Sequence, residues 1–161
     1  MIPSFFCLCL LGTVGFYNTE GAPCLPCPAG KYCPGQVVPL CPAGHYCPSG
    51  STSPVPCPAG TYGNTEGIST VSGCVVCPPG MYCSSPGSTA PTGSCSAGYY
   101  CRGATSPTPV DGVTGGICPA AHYCPTGTSD PIPCTAGRYC PIGSARPTPC
   151  PATGCNTITT G

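Results

Sequence analysis

Tryptophan is absent, phenylalanine occurs three times, and beyond Leu11 the only leucines are Leu25 and Leu40. A chain of 161 residues with so few large apolar side chains cannot build the single continuous core its length would otherwise suggest. Ordering the backbone alone costs about 1–2 kcal/mol per residue, and burial has to offset that. Charge is almost as scarce: Lys31, Arg102, Arg138 and Arg146 balance Glu20, Glu66, Asp111 and Asp130, for a net charge of zero. Without a basic face to neutralise phosphates, nucleic acid is excluded as a partner, and an anionic membrane surface has nothing to attract. No apolar run reaches the ~20 residues of a membrane span. No window carries the 3.6-residue apolar period of a helix, and every candidate helix is interrupted by proline or glycine. Asn18, Asn64 and Asn156 all lack Ser or Thr two places on, so N-glycosylation has no acceptor, although the Ser/Thr-Pro segments remain open to O-glycans.

What the chain has instead is 19 cysteines, 24 glycines and 25 prolines. Cysteine at this density marks a disulfide scaffold, and disulfides persist in oxidising compartments, so the expected location is secreted or on the extracellular face of the cell. The cysteines follow a repeat, Cys-Pro-Ala-Gly-x-Tyr-Cys, best seen at Cys41-Pro42-Ala43-Gly44-His45-Tyr46-Cys47. Complete Cys-x5-Cys frames run Cys27 to Cys33, Cys41 to Cys47, Cys77 to Cys83, Cys95 to Cys101, Cys118 to Cys124 and Cys134 to Cys140. A further copy opens at Cys57 but has Gly63 in the closing place, and a shortened one runs from Cys150 to Cys155. The frame is constant while the opening cysteines lie 14 to 23 residues apart, the signature of a linear array in which each unit touches mainly its neighbours. The expected fold is a small disulfide-rich, elongated tandem array of short β-hairpin and turn units, with little or no helix outside the N-terminal segment.

Residues 1–15 read either as a secretory signal, because Phe5 to Leu11 has the length of its apolar region, or as the start of a truncated repeat. The second reading rests on Gly15-Phe16-Tyr17-Asn18-Thr19-Glu20-Gly21, which echoes Gly60-Thr61-Tyr62-Gly63-Asn64-Thr65-Glu66-Gly67. Residues 16–101 and 118–155 are the cysteine-rich repeats. Residues 102–117 form a Gly/Pro/Thr connector expected to be flexible, and 156–161 are a tail.

Within a frame, proline presets φ at the second position and glycine takes the fourth, the preference of a type I β-turn. The turn returns the chain so that the closing cysteine meets the opening one. Direct closure of the Cys-x5-Cys ring is the first reading, stabilising by about 2–3 kcal/mol in the chain-entropy model. Linking Cys33 to Cys41, or interleaving the pairs, is the alternative, and sequence does not decide between them. Seven tyrosines (Tyr32, Tyr46, Tyr62, Tyr82, Tyr100, Tyr123 and Tyr139) occupy the place before the closing position. There a ring can cover a disulfide with its hydroxyl in water; a ladder of exposed rings for a partner is the functional counterpart. The preceding residue is Lys31, His45, Thr61, Met81, Tyr99, His122 or Arg138, a variety expected of a solvent-facing position. His45 and His122 therefore carry no catalytic or metal assignment. Cys24-x2-Cys27 and Cys74-x2-Cys77 have zinc-ligand spacing but lack histidine partners, and they read as structural. No paired carboxylates, Ser/His/Asp grouping or phosphate loop is present, so no enzyme activity and no cofactor is expected.

The window from Cys57 to Cys83, with Cys57-Pro58-Ala59-Gly60-Thr61-Tyr62, Asn64 to Gly67 and Cys74-Val75-Val76-Cys77-Pro78-Pro79-Gly80-Met81-Tyr82-Cys83, resembles the ephrin-receptor-like cysteine-rich repeat, a growth-factor-receptor and TNF-receptor-like module. The resemblance implies a Cys57–Cys74 disulfide, sends Cys77 to a later cysteine, and explains Gly63, where the longer repeat has no cysteine. As a repeat type it extends from about Cys24 to Cys150, and it implies an extracellular protein whose partner is an unidentified protein or glycan. If the six frames close internally, Cys57 pairs with Cys74 and Cys150 with Cys155, then Cys24 is left over. An intermolecular bridge through Cys24, or a longer parent chain, is then expected. The function so read is a structural spacer or protein-binding module. The alternatives are a thiol-based metal-binding protein and a disulfide-rich protease inhibitor using the segment Arg102 to Ile117.

Overall fold

A computed structural model describes residues 14–17, 24–35, 37–152 and 154–155. The apolar stretch before Val14 and the tail 156–161 lie outside them. Two compact units are formed, Met1–Val75 with Pro86–Ala90, and Val76–Ser85 with Pro91–Gly161.

The described secondary structure is seven two-stranded antiparallel hairpins and one 3-10 turn at Val71–Gly73. In chain order the pairs are β1 (Phe16–Tyr17) with β2 (Leu25–Pro26), β3 (His45–Tyr46) with β4 (Val55–Pro56), and β5 (Thr61–Tyr62) with β6 (Val75–Val76). Then follow β7 (Met81–Tyr82) with β8 (Gly93–Ser94), β9 (Tyr99–Cys101) with β10 (Gly115–Ile117), β11 (His122–Tyr123) with β12 (Ile132–Pro133), and β13 (Arg138–Tyr139) with β14 (Thr148–Pro149). At Lys31 the same arrangement shrinks to a single bridge to Leu40. Each hairpin therefore joins the end of one frame to the two residues that precede the next opening cysteine. The expected tandem hairpin array is what forms.

The disulfides are Cys27–Cys33, Cys41–Cys47, Cys57–Cys74, Cys77–Cys83, Cys95–Cys101, Cys118–Cys124, Cys134–Cys140 and Cys150–Cys155. Cys24 is disulfide-bonded as well, which corrects the expectation of a leftover thiol and of an intermolecular bridge through it. That expectation came from counting only the cysteines beyond the apolar segment. Among the described residues, apart from Ile68 and Ala104, every buried hydrophobic residue is a cysteine, so the disulfides themselves form the core.

The frame turn is displaced by one residue from its expected form. The amide of Lys31 donates to the Pro28 carbonyl at 3.0 Å, and the same bond recurs from His45 to Pro42, Thr61 to Pro58 and Met81 to Pro78. Proline is thus the first turn residue and glycine the third, with φ of +82° at Gly30 and Gly44. A left-handed third residue belongs to type II, and it is glycine's freedom there that fixes the register. In Cys118 to Cys124 this place falls to Ala121, which holds φ of +63° and is exposed.

The frames are joined by a repeating set of backbone hydrogen bonds. The turn glycine donates to the closing cysteine of the next frame, as in Gly30 to Cys47 and Gly98 to Cys124, both 2.8 Å. The next opening cysteine donates back to that glycine's carbonyl, as in Cys41 to Gly30 and Cys118 to Gly98. A closing cysteine donates into the connector behind the next frame, Cys33 to Ser51 and Cys101 to Thr128 at 2.9 Å. The connector glycine donates to the earlier opening cysteine, Gly50 to Cys27 and Gly143 to Cys118. Gly15 joins the same pattern, donating to Cys33 and accepting from Cys27. Gly15 thus takes the place of a turn glycine in these hydrogen bonds.

Candidate interaction surface

Short frames leave the hairpin tyrosines at a fixed place, one strand across from the second residue before the next cysteine. Tyr17 faces Leu25, Tyr46 faces Val55, Tyr123 faces Ile132 and Tyr139 faces Thr148. Tyr82 and Tyr100 face glycines, Gly93 and Gly116, and their rings lie so close that a Cβ there would meet ring carbons at 3.2 to 3.3 Å. All the frame tyrosines are half-buried. Tyr82, together with Tyr99, packs on the buried cluster of Cys95, Cys101 and Ala104, so tyrosine cover of a disulfide is realised there. The aliphatic partners Leu25, Val55 and Ile132 remain exposed. Each hairpin of this kind offers an uncharged aromatic-and-aliphatic strip, suited to contact with a protein surface and unsuited to polyanions.

Of the seven residues Lys31, His45, Thr61, Met81, Tyr99, His122 and Arg138, all but Arg138 are half-buried rather than solvent-facing. His45 donates from Nδ1 to the Ala43 carbonyl at 3.2 Å and His122 to the Ala120 carbonyl at 3.1 Å. Two equivalent histidines bound to their own turns are explained by local geometry. The cysteines with zinc-ligand spacing are all consumed in disulfides: Cys24 is bonded, Cys27 meets Cys33, Cys74 meets Cys57 and Cys77 meets Cys83. Among the described residues no group of His, Cys, Asp or Glu is arranged to hold a metal ion. No described helix is long and apolar enough to cross a membrane.

A second regular device lies after the closing cysteine, where sequence reasoning saw only variable spacer. Pro48-Ser49-Gly50-Ser51, Pro125-Thr126-Gly127-Thr128 and Pro141-Ile142-Gly143-Ser144 repeat the left-handed glycine turn, and Ser51, Thr128 and Ser144 return a hydroxyl bond to the proline carbonyl. The available signal was Pro-x-Gly-Ser/Thr directly behind the closing cysteine.

Residues 102–117 are more tied down than a flexible spacer would be. Arg102 donates from Nε (3.1 Å) and Nη2 (2.6 Å) to Asp130 and stacks over the Tyr100 ring, 5.2 Å from its centroid. Both charged groups are more than half exposed, so this pair adds little stability. Ala104 is fully buried, and its carbonyl accepts from Cys83. At the far end the Asp111 carboxylate accepts from the amides of Val113 and Thr114, each at 2.9 Å, and from the Thr114 hydroxyl. The Thr114 hydroxyl, then the Val113, Thr114 and Gly115 amides, hold the Asp111 carboxyl below its ordinary value of 3.8. A depressed folded-state value means these bonds support the loop above the ordinary aspartate range and are lost as pH falls through the folded value. The amide chemical shifts of Val113 and Thr114 are therefore expected to hold steady down to that range and to titrate below 3.8, and Asp111→Ala to abolish the titration.

No family model matches the chain, and no curated protein matches it.

Proposed function

We propose that the chain is a non-enzymatic extracellular cysteine-rich repeat protein, or a piece of one, that acts as a structural spacer and protein-binding module of the ephrin-receptor-like kind. The observation that carries this reading is a core made almost wholly of disulfide cysteines. Such a core exists only where thiols are oxidised, which points to a secreted or cell-surface location. Binding is assigned to the tyrosine-and-aliphatic hairpin strips, because they are the repeated exposed apolar feature and carry almost no charge. The partner class is an extracellular protein or glycan.

Chain produced through a secretory route and purified without reductant is expected to show almost no free thiol by alkylation and mass spectrometry, and no bound zinc by elemental analysis. Many reactive thiols together with stoichiometric zinc would instead make it a thiol-based metal-binding protein.

A further inference from the structure

Three hairpins build their second strand on a residue held between two prolines just before an opening cysteine: Pro54-Val55-Pro56-Cys57, Pro131-Ile132-Pro133-Cys134 and Pro147-Thr148-Pro149-Cys150. The middle residue faces a frame tyrosine and is exposed in all three. In two copies it is aliphatic, and in the third it is Thr148, opposite Tyr139. The proline that follows holds it extended, and neither proline carries an amide hydrogen. The stretch is therefore stiff and outward, the form an enzyme that reads extended peptide in a groove accepts. β14 has a strand partner on one side alone, and the Thr148 hydroxyl is bonded to none of the described residues.

Many other hydroxyls are committed elsewhere. Ser51, Thr61, Thr128 and Ser144 bond to proline carbonyls, Thr92 meets Ser84, and Thr114 meets Asp111. Thr52 and Thr89 lay their methyl groups over earlier turns, where a Cβ at Gly15 or Gly44 would stand 3.2 or 3.4 Å from them. Thr108 alone shares the Pro-Thr-Pro setting of Thr148. It lies in a bend, Pro109 behind it is buried, and the Pro107 carbonyl accepts from the Ser96 amide at 2.8 Å, so that stretch is pressed onto its own frame.

We propose that Thr148 is the acceptor of an O-linked glycan begun from a nucleotide-activated N-acetylhexosamine. The inference rests on the secretory location proposed above, where transferases of this kind meet folded chains. The Thr148 hydroxyl oxygen attacks the anomeric carbon of the donor sugar, and the bond from that carbon to the nucleoside diphosphate breaks. The diphosphate leaves with the electron pair and takes up the hydroxyl proton, and a glycoside remains on Thr148. The first sugar stands on the same hairpin face as Tyr139, so this hairpin presents carbohydrate where those of Val55 and Ile132 present an aliphatic side chain.

The test incubates the folded, disulfide-intact chain with UDP-N-acetylgalactosamine and a soluble mucin-type transferase, and maps the added sugar by peptide mass spectrometry. Sugar on Thr148 is expected, with Thr108 bare. Thr148→Val should lose the Thr148 modification, whereas Thr148→Ser and Thr108→Val should keep it. Reduced and alkylated chain, in which the sequence alone acts, should accept sugar at both threonines. Folded chain that stays bare at Thr148 overturns the proposal. So does folded chain modified equally at Thr108, because the Pro-Thr-Pro sequence and not the exposed strand would then select the acceptor. Neither result bears on the thiol content that tests the secretory reading.

Discussion

Alanine at Gly98 is expected to open the joints around the Cys95–Cys101 frame, accelerating amide exchange at Gly98, Cys118 and Gly143 by about 100- to 1,000-fold under native conditions. Gly98 is buried at φ of +84°, and a Cβ placed on it would stand 2.5 Å from the Gly143 carbonyl oxygen. The left-handed backbone costs an alanine about 1–2 kcal/mol. The clash adds a further ~1–3 kcal/mol, because what must yield is the backbone of another turn. Gly137 occupies the same place in its own frame with φ of +75° but nothing within 4 Å of its Cβ position. Gly137→Ala should therefore cost only the backbone contribution, about 1 kcal/mol, and leave exchange elsewhere unchanged. Ala121 already shows that an exposed copy accepts the methyl group. Equal exchange in the two variants would mean that the glycine contacts do not couple the frames.

Replacing Cys95 and Cys101 together by serine is expected to abolish folded structure in Val76–Ser85 with Pro91–Gly161, read as collapse of its dispersed amide spectrum. Removing the ring costs about 2–3 kcal/mol in the chain-entropy account. Two hydroxyls placed where fully buried sulfurs stood, against Ala104, Tyr82 and Tyr99, add roughly 1–3 kcal/mol each. The sum reaches the ~5–15 kcal/mol by which whole domains are stable, and no aliphatic core stands behind it. The corresponding change at Cys150 and Cys155, which are half-buried, should leave the rest of the spectrum intact. A double variant at Cys95 and Cys101 that keeps its dispersed amides would show that the order comes from something other than the disulfides.

The array was legible because its parts are local. Cys41 to Cys47 carries its own turn, tyrosine and staple within seven residues, so comparing copies inside the chain was enough to predict hairpins. Turn register was not legible, since Pro-Ala-Gly fits two turn types and only the φ of glycine separates them. The connectors were under-read for another reason: Gly50 and Gly143 act through hydrogen bonds to cysteines of a preceding frame, and no pattern within one copy displays that. The loop at residues 102–117 looked like spacer because its bracing runs to Ser96, Asp130 and Tyr100 in neighbouring segments. At the candidate surface the tyrosines were visible from spacing, whereas their aliphatic partners emerged only from strand register.

The glycine contacts also impose an order in time. The turn at Gly30 is covered by Gly67 and the turn at Gly98 by Gly143, each supplied by a connector two frames further along. A chain emerging at roughly 5–20 residues per second therefore completes a turn only some seconds after that turn is made. During synthesis the finished structure trails the growing end by two frames. Over that stretch the cysteines are exposed to oxidation before their surroundings can discriminate among partners, and the short span of each Cys-x5-Cys ring is what favours the correct neighbour.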